Sequence, residues 1–339
     1  MNTSADTASY LGEGTVPAPT QVASAVDTVL FLCRTPLQAR ICLKIIETEN
    51  IQKADIFYYT QHDNESDRLY YSRLQRVGGH TQYVHLSNDR YGVINYIIAY
   101  FLADKRFKTL QYKSIYLASI DAMLFRAFLK IHNDAHVFTF DDGTSNIVRN
   151  CAISYHAEDR GRTEVIRRLA RMQTRRQIKD KSLRHYSIYK EFENICPPER
   201  TVHLDIFPPS PAAIDSTREM RFFIGQPFEE YLDDAQIRRL QSFLKTQQFD
   251  YYIKHPRENR PAQGGIPFLD KKGELAETAI MAASAGAVPH IYAGFSTVLF
   301  NIPSENARKF YLHFRDKNDD EAREMLEFAQ RAGCTIIEL

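Results

Sequence analysis

The sequence predicts an α/β protein built as two parallel-sheet halves, and three observations carry that prediction. Short apolar runs alternate with segments of helical spacing along most of the chain, as βαβ units require. The first run, Thr28 to Cys33 (TVLFLC), is continuously apolar, as a strand buried on both faces must be. Proline clusters at Pro197-Pro198 and at Pro208, Pro209 and Pro211 interrupt the alternation near the middle, where a linker between domains is expected.

Residues 1–26 are small, polar and rich in Pro and Gly, and a disordered tail is expected there. After the first strand, Ala39 to Glu49 carries Ile41, Leu43, Ile45 and Ile46 at helical spacing. Ile56 to Tyr59 is a strand, Asp67 to Val77 a polar helix, Thr81 to Leu86 a strand and Val93 to Leu102 an apolar helix. Ser114 to Ala118, Met123 to Ile131 and Ala135 to Phe140 then read as strand, helix and strand. From Asp159 to His185 arginine and lysine dominate a helix-rich segment. It is either a solvated helical face or a patch that draws the protein to an anionic surface such as the cytoplasmic leaflet. Thr201 to Ile206 is a short strand-like piece. The alternation resumes with a strand at Arg221 to Ile224, a helix at Glu229 to Lys245 and a strand at Phe249 to Lys254. Gly273 to Ala285 is helical, Val288 to Tyr292 a strand and Val298 to Asn301 a short helix. Phe310 to Phe314, Asp319 to Ala332 and Thr335 to Leu339 close the chain as strand, helix and strand. The expected domains are 27–200 and 218–339, joined by a Pro-rich linker at 201–217.

Composition narrows the function. Lys and Arg total 43 and Asp and Glu 42, so the basic excess of a nucleic-acid binder is missing. The five cysteines are odd in number and lack metal-ligand spacing, which suits buried thiols in a reducing compartment. There is no long apolar run and no basic-then-apolar amino terminus, so a cytoplasmic protein is expected.

Four polar turns share one address, the carboxyl end of an expected strand. They are Asp141-Asp142-Gly143 (continued by Thr144), Gly225-Gln226-Pro227, His255-Pro256-Arg257 and Gly294-Phe295-Ser296-Thr297. In open α/β sheets that edge faces the ligand crevice, and two linked halves place a cleft between them. Asp-Asp-Gly is a good turn in its own right, but one carboxylate there suffices for a general base. Asp141 and Asp142 could ligate a metal, but an acidic pair without a helper histidine nearby is weak evidence for one. His255 either caps a strand end or, bracketed by Lys254 and Arg257, donates a proton to a phosphate. Ser296 is either a plain helix cap or, with Gly294, Phe295 and Thr297, part of a phosphate cradle. Neither GxxxxGK[ST] nor GxGxxG is present. Glu229 and Glu230 are reserve bases, although acids in a helix's first turn also complement its dipole. Base, acid and cradle on facing halves spell group transfer from a phosphate-activated donor to a hydroxyl, the chemistry of a two-domain nucleotide-sugar glycosyltransferase.

Several segments carry a resemblance to one family. They are CRTPLQ (Cys33 to Gln38), IYLASIDAMLFRAFL with TFDDGTSN (between Ile115 and Asn146), LARMQTRRQIKDKSLRHYSIYKEFENI (Leu169 to Ile195), KHPR (Lys254 to Arg257) and IYAGFST (Ile291 to Thr297). Together they resemble the bacterial sialyltransferases of glycosyltransferase family 52, the lipooligosaccharide α-2,3-sialyltransferase group. The resemblance implies a GT-B architecture of two Rossmann-like domains facing a central cleft, the first on the acceptor side and the second binding CMP. It implies an inverting, metal- and cofactor-independent enzyme with CMP-sialic acid as donor. The implied acceptor is the 3-OH of a terminal galactose on a glycan such as lipooligosaccharide or capsule. By the same likeness Asp142, with Asp141, is the general base and His255 the acid that protonates the departing phosphate. Ser296 and Thr297 hold that phosphate, Glu277 meets the ribose, and Thr35 and Gln38 line the cleft. One position departs from the pattern. Some relatives carry an aspartate after the Gly-x-Pro turn and place a base there; this chain has Phe228, then Glu229 and Glu230. A homodimer in peripheral contact with the membrane is also expected. Two other readings are a GT-B enzyme using another nucleotide sugar and a non-catalytic glycan- or nucleotide-binding module.

Overall fold

In the computed structural model, residues 28–86, 92–149, 154–207, 218–255, 257–258, 260–262, 265–314 and 320–339 are described. The expected tail at 1–26, linker residues 208–217 and Pro256 lie outside them. The first sheet has seven strands: β1 (Val29–Cys33), β2 (Asp55–Thr60), β3 (Thr81–His85), β4 (Ser114–Leu117), β5 (His136–Phe140), β6 (Ser182–Ser187) and β7 (Thr201–His203). They are ordered β3-β2-β1-β4-β5-β6-β7. The second has five, β8 (Glu219–Ile224), β9 (Tyr251–Ile253), β10 (Val288–Ala293), β11 (Arg308–His313) and β12 (Thr335–Glu338), ordered β12-β11-β10-β8-β9. Their ladders are parallel throughout.

The apolar run of β1 has a physical reason. Successive side chains point to opposite faces of a strand. Leu30 and Leu32 join one core with α3 (Gly92–Leu102), α4 (Lys105–Thr109), α5 (Met123–Ile131) and α7 (Arg175–Lys181). Phe31 and Cys33 join the other with α1 (Pro36–Thr48) and α2 (Glu65–Val77). The remaining helices are α6 (Gly161–Leu169), α8 (Asp234–Thr246), α9 (Ala276–Ala283), α10 (Thr297–Asn301) and α11 (Asp320–Arg331). Strand order reverses between β1 and β4 in one sheet and between β8 and β10 in the other. Each reversal opens a crevice at the carboxyl edge.

Several elements differ from the sequence expectation. The basic segment expected to be helical up to His185 ends its helix at Lys181 and enters β6. This strand, SLRHYS, lacks an apolar run because its buried positions serve polar partners. Thr139 Oγ1 lies 2.8 Å from Ser182 Oγ and 2.9 Å from His185 Nδ1. Thr201–His203, at the start of the expected linker, pairs with β6 as the seventh strand. The helix expected from Glu229 is split into a 3-10 turn at Phe228–Glu230 and α8, whose amino end is held by reciprocal bonds between Asp233 and Gln236.

Among the described residues, two contact regions between the halves flank the β1/β4 crevice. On the β5–β6 side Ile147, Val148, Tyr189 and Phe192 merge with Val298, Leu299, Phe300 and Phe328 into one apolar cluster. On the β2–β3 side Glu274 accepts from Tyr70 Oη at 2.9 Å and from Arg73 Nη1 at 3.0 Å.

Candidate active site

The first domain presents the Asp142 carboxylate with an ordered surround, and Asp121 Oδ1 lies 3.0 Å from the Tyr155 hydroxyl beside it. Asp142 follows β5, and its Oδ1 accepts from Gln38 Nε2 at 2.5 Å. Its Oδ2 accepts from Ser119 Oγ at 2.8 Å and from Tyr155 Oη at 2.5 Å. Gln38 is aimed by its own helix start: Thr35 Oγ1 accepts from the Gln38 amide at 3.3 Å, and Gln38 Oε1 accepts from the Arg34 amide at 2.7 Å. Thr35 is thus an N-cap, and the buried Gln38 orients Asp142. Burial pushes the Tyr155 phenol well up, with Asp142 and Asp121 adding, so Tyr155 stays protonated and donates. Arg34 stands 5.9 Å and 6.0 Å from the Tyr59 and Tyr96 ring centres. Burial works against its charge, but Tyr96, Asp121, Asp142 and Tyr155 outweigh it, and its pKa rises.

Asp141 was expected beside Asp142 in the cleft, and the structure turns it the other way. Neighbouring residues at a strand end alternate in direction. Its fully buried carboxylate accepts from His185 Nε2 at 2.9 Å, Asn194 Nδ2 at 2.8 Å, Ser187 Oγ at 2.8 Å and the Ile188 amide at 2.7 Å. With four donors satisfied, Asp141 staples β5 to β6. Gly143 has φ +63°, and a Cβ there would stand 3.8 Å from Thr297 Cγ2. Only glycine takes that conformation freely, and the turn brings the first domain against the second.

The second domain supplies a cavity of about 590 Å³, lined by Gly225, Gln226, Lys254, His255, Arg257, Lys271 and Gly294 to Thr297, with Thr144 from the first domain. His255 Nδ1 accepts from the Arg257 amide at 3.1 Å, which leaves Nε2 to carry a proton. Burial pushes its pKa below the ordinary value, and Arg257 and Lys271 push further. Gly225 has no room for a side chain, since a Cβ would fall 2.4 Å from Glu258 Oε2 and 2.5 Å from Tyr252 Cε1. Gly294 is similar, with Gln226 Oε1 2.6 Å from a built Cβ. Gln226 donates to the Phe295 carbonyl and accepts from Tyr231 Oη at 3.0 Å, which locks the β8 and β10 turns together. Ser296 Oγ accepts from the Val298 amide at 3.4 Å as the cap of α10.

Other expected residues lie elsewhere. Glu277 is 4% exposed and outside the cavity lining; it accepts from Asn301 Nδ2 at 2.6 Å, and burial raises its pKa. Asn301 Oδ1 in turn accepts from Tyr189 Oη at 2.7 Å, so Glu277 anchors the contact between domains. Glu230 lines the cavity and pairs with Arg257 at 3.2 Å, whereas Glu229 is exposed outside it. Lys271, Ser119 and Tyr155 were missed. Ser119 had a usable signal, since it closely follows β4 at the carboxyl edge; Tyr155 and Lys271 sit in no motif. Among the described residues no group of three His, Cys, Asp or Glu side chains is arranged to hold a metal ion.

Comparison with known proteins adds three findings. The model of Glycosyltransferase family 52 matches residues 53–314. An N-acetyllactosaminide α-2,3-sialyltransferase of Neisseria meningitidis is 25% identical over 69% of this chain and 64% of its own length, just under two thirds. A CMP-N-acetylneuraminate:β-galactoside α-2,3-sialyltransferase of Pasteurella multocida is 27% identical over 82% of this chain and 88% of that protein. Among solved structures, an α/β-galactoside α-2,3-sialyltransferase from Photobacterium phosphoreum aligns with a TM-score of 0.54 over 92% of this chain and 98% of the other. At 12% identity that likeness is one of fold.

Proposed function

The chain belongs to glycosyltransferase family 52 and is a glycosyltransferase of GT-B architecture, and from that premise we propose that it moves sialic acid from CMP-sialic acid to the 3-OH of a terminal galactose. The acceptor glycan is of the lipooligosaccharide or capsule kind, and the transfer inverts the anomeric centre. The observation that carries this reading is the pairing of a carboxylate ordered by three donors with a histidine-lined cavity on the facing domain. The names of the family relatives support the donor and the linkage. Asp142 takes the proton of the acceptor hydroxyl as its oxygen bonds to the anomeric carbon. The bond from that carbon to the phosphate oxygen breaks, and His255 Nε2 gives its proton to the departing CMP. Ser296 and Thr297 offer hydroxyls to the phosphate, while Lys254, Arg257 and Lys271 offset the donor's charge.

The direct test is incubation with CMP-sialic acid and lactose in the presence of EDTA. Sialyl-lactose and CMP are expected from the wild type, and both fall roughly 10²–10⁴-fold in His255→Ala. No CMP release on any galactoside would remove the donor assignment and leave the fold standing. A donor-free check is thermal stabilisation, expected from CMP and not from UDP and amounting to about 2.7 kcal/mol at a hundredfold excess over Kd.

The depressed pKa of His255 carries a pH prediction. An acid must be protonated, so activity is lost as pH rises through its pKa. In the free enzyme that limb, read in kcat/KM, is expected below the ordinary histidine value. The bound donor adds negative charge near the ring and raises the pKa, so the limb in kcat lies at higher pH. Coincident limbs would argue against His255 as the acid.

A further inference from the structure

We propose that Asp142, Tyr155 and Asp121 form a proton relay: the proton that Asp142 takes from the acceptor hydroxyl passes through Tyr155 to Asp121 and on to solvent. The proposal rests on Asp142 being the base of the reaction proposed above. Asp121 lies in the turn after β4, two residues beyond Ser119, and is partly exposed. Its Oδ1 stands 3.0 Å from Tyr155 Oη, and Asp142 Oδ2 stands 2.5 Å from the same oxygen. Among the described residues the phenol is the one group hydrogen-bonded to the Asp121 carboxylate.

A phenol has one hydrogen and donates it to one oxygen at a time. With both carboxylates ionised, one of the two contacts therefore lacks a hydrogen. Both become hydrogen bonds only when a second proton sits on one of the carboxyls. Asp142 acquires that proton when it deprotonates the acceptor. Asp142 Oδ2 then gives it to Tyr155 Oη while the phenol's own proton goes to Asp121 Oδ1. Two O–H bonds break and two form. Asp142 is ionised again, Asp121 is neutral, and Tyr155 is a phenol before and after. Burial and the two aspartates make a phenolate costly, so the two protons move together.

The surroundings favour this exit. Gln38 Nε2 and Ser119 Oγ occupy the Asp142 carboxylate from the protein side, and an acceptor seated on it keeps water from the other. Asp121, at the far end of the row, reaches solvent. The Arg34 guanidinium is acted on by both aspartates. Moving the proton from one carboxyl to the other thus leaves one negative charge beside one positive charge throughout. Clearing the proton returns Asp142 to its working form for the next acceptor.

The test is steady-state transfer to lactose by wild type, Asp142→Asn, Asp121→Asn, Tyr155→Phe and the double variant Asp121→Asn/Tyr155→Phe. Asparagine keeps the size of Asp121 and an oxygen that accepts from Tyr155, but it takes no proton. Asp121→Asn is therefore expected to lower kcat about tenfold or more, short of the roughly 10²–10⁴-fold expected for the base itself. The KM for lactose, stabilisation by CMP and the melting temperature should stay at wild-type values. Tyr155→Phe already breaks the row, so the double variant should be no slower than Tyr155→Phe alone. Added formate should restore part of kcat to Asp121→Ala and none to Tyr155→Phe. Wild-type kcat in Asp121→Asn would make Asp121 a support for the phenol and overturn the relay, with Asp142 still the base. Losses that multiply in the double variant, or no rescue by formate, would overturn it equally. Asp142→Asn at the wild-type rate would remove the base, and the relay with it.

Discussion

Asp142→Asn is expected to lower kcat by roughly 10²–10⁴-fold, the usual contribution of a positioned general base. The change keeps size and shape but removes the proton acceptor. It also turns an amide NH₂ toward a shell built of donors, since Gln38 Nε2, Ser119 Oγ and Tyr155 Oη all point at this carboxylate. CMP binding on the facing domain should be unchanged. Glu229→Gln, at an exposed side chain outside the cavity, is expected to leave kcat at the wild-type level. The opposite pair of results would move the base to the turn after β8. Tyr155→Phe supplies a finer readout. It removes one of the donors that aim the Asp142 carboxylate, so kcat should fall while CMP binding on the facing domain stays at the wild-type level. An unchanged kcat would sever Tyr155 from the proposed base.

Asp159→Asn is expected to be the most destabilising conservative change in the first domain. Arg126 is fully buried and donates from Nε to the Ile120 carbonyl at 2.8 Å and from Nη2 to Asp159 Oδ1 at 3.2 Å, and its Nη1 also meets Asp159 Oδ2. Arg175 Nε lies 3.2 Å from the same carboxylate. Neutralising Asp159 strands two cations in the interior, a loss of about 3–5 kcal/mol and a fall in Tm of roughly 6–10 °C. Arg126→Met combined with Asp159→Leu should cost less than the sum of the single changes. Additive losses by calorimetry would mean that the two residues are not coupled. The pair also holds the chain that carries Tyr155, so the fold and the proposed base share one support.

The order of elements was legible because strands buried on both faces must be apolar throughout, as TVLFLC shows, and because helices alternate between them. What escaped was polar. β6 hides in a basic run since its buried Ser182, His185 and Ser187 exist to bond Thr139 and Asp141. The four turns of the site were legible by their address at strand ends, and Asp142, Gln226, His255, Gly294 and Ser296 are all found at the crevices. Direction was not legible. Asp141 and Asp142 are adjacent in sequence and face opposite ways, and Glu277 turns inward to Asn301 where a ribose contact was expected. Tyr155 and Lys271 reach the site from segments whose local pattern says nothing about it.

The two contacts between the domains differ in how they yield. Separating Tyr189 and Phe192 from Phe300 and Phe328 exposes oil to water, at a cost that grows with area. Parting Arg73 from Glu274, with side chains 31% and 23% exposed, trades one set of polar partners for water at little cost. Parting the domains along α2 therefore costs less than parting them along the apolar seam. If the nucleotide of the proposed reaction leaves by that gap, its residence time should shorten with ionic strength and in Arg73→Ala. Release rates indifferent to both, measured by stopped flow, would place the exit elsewhere.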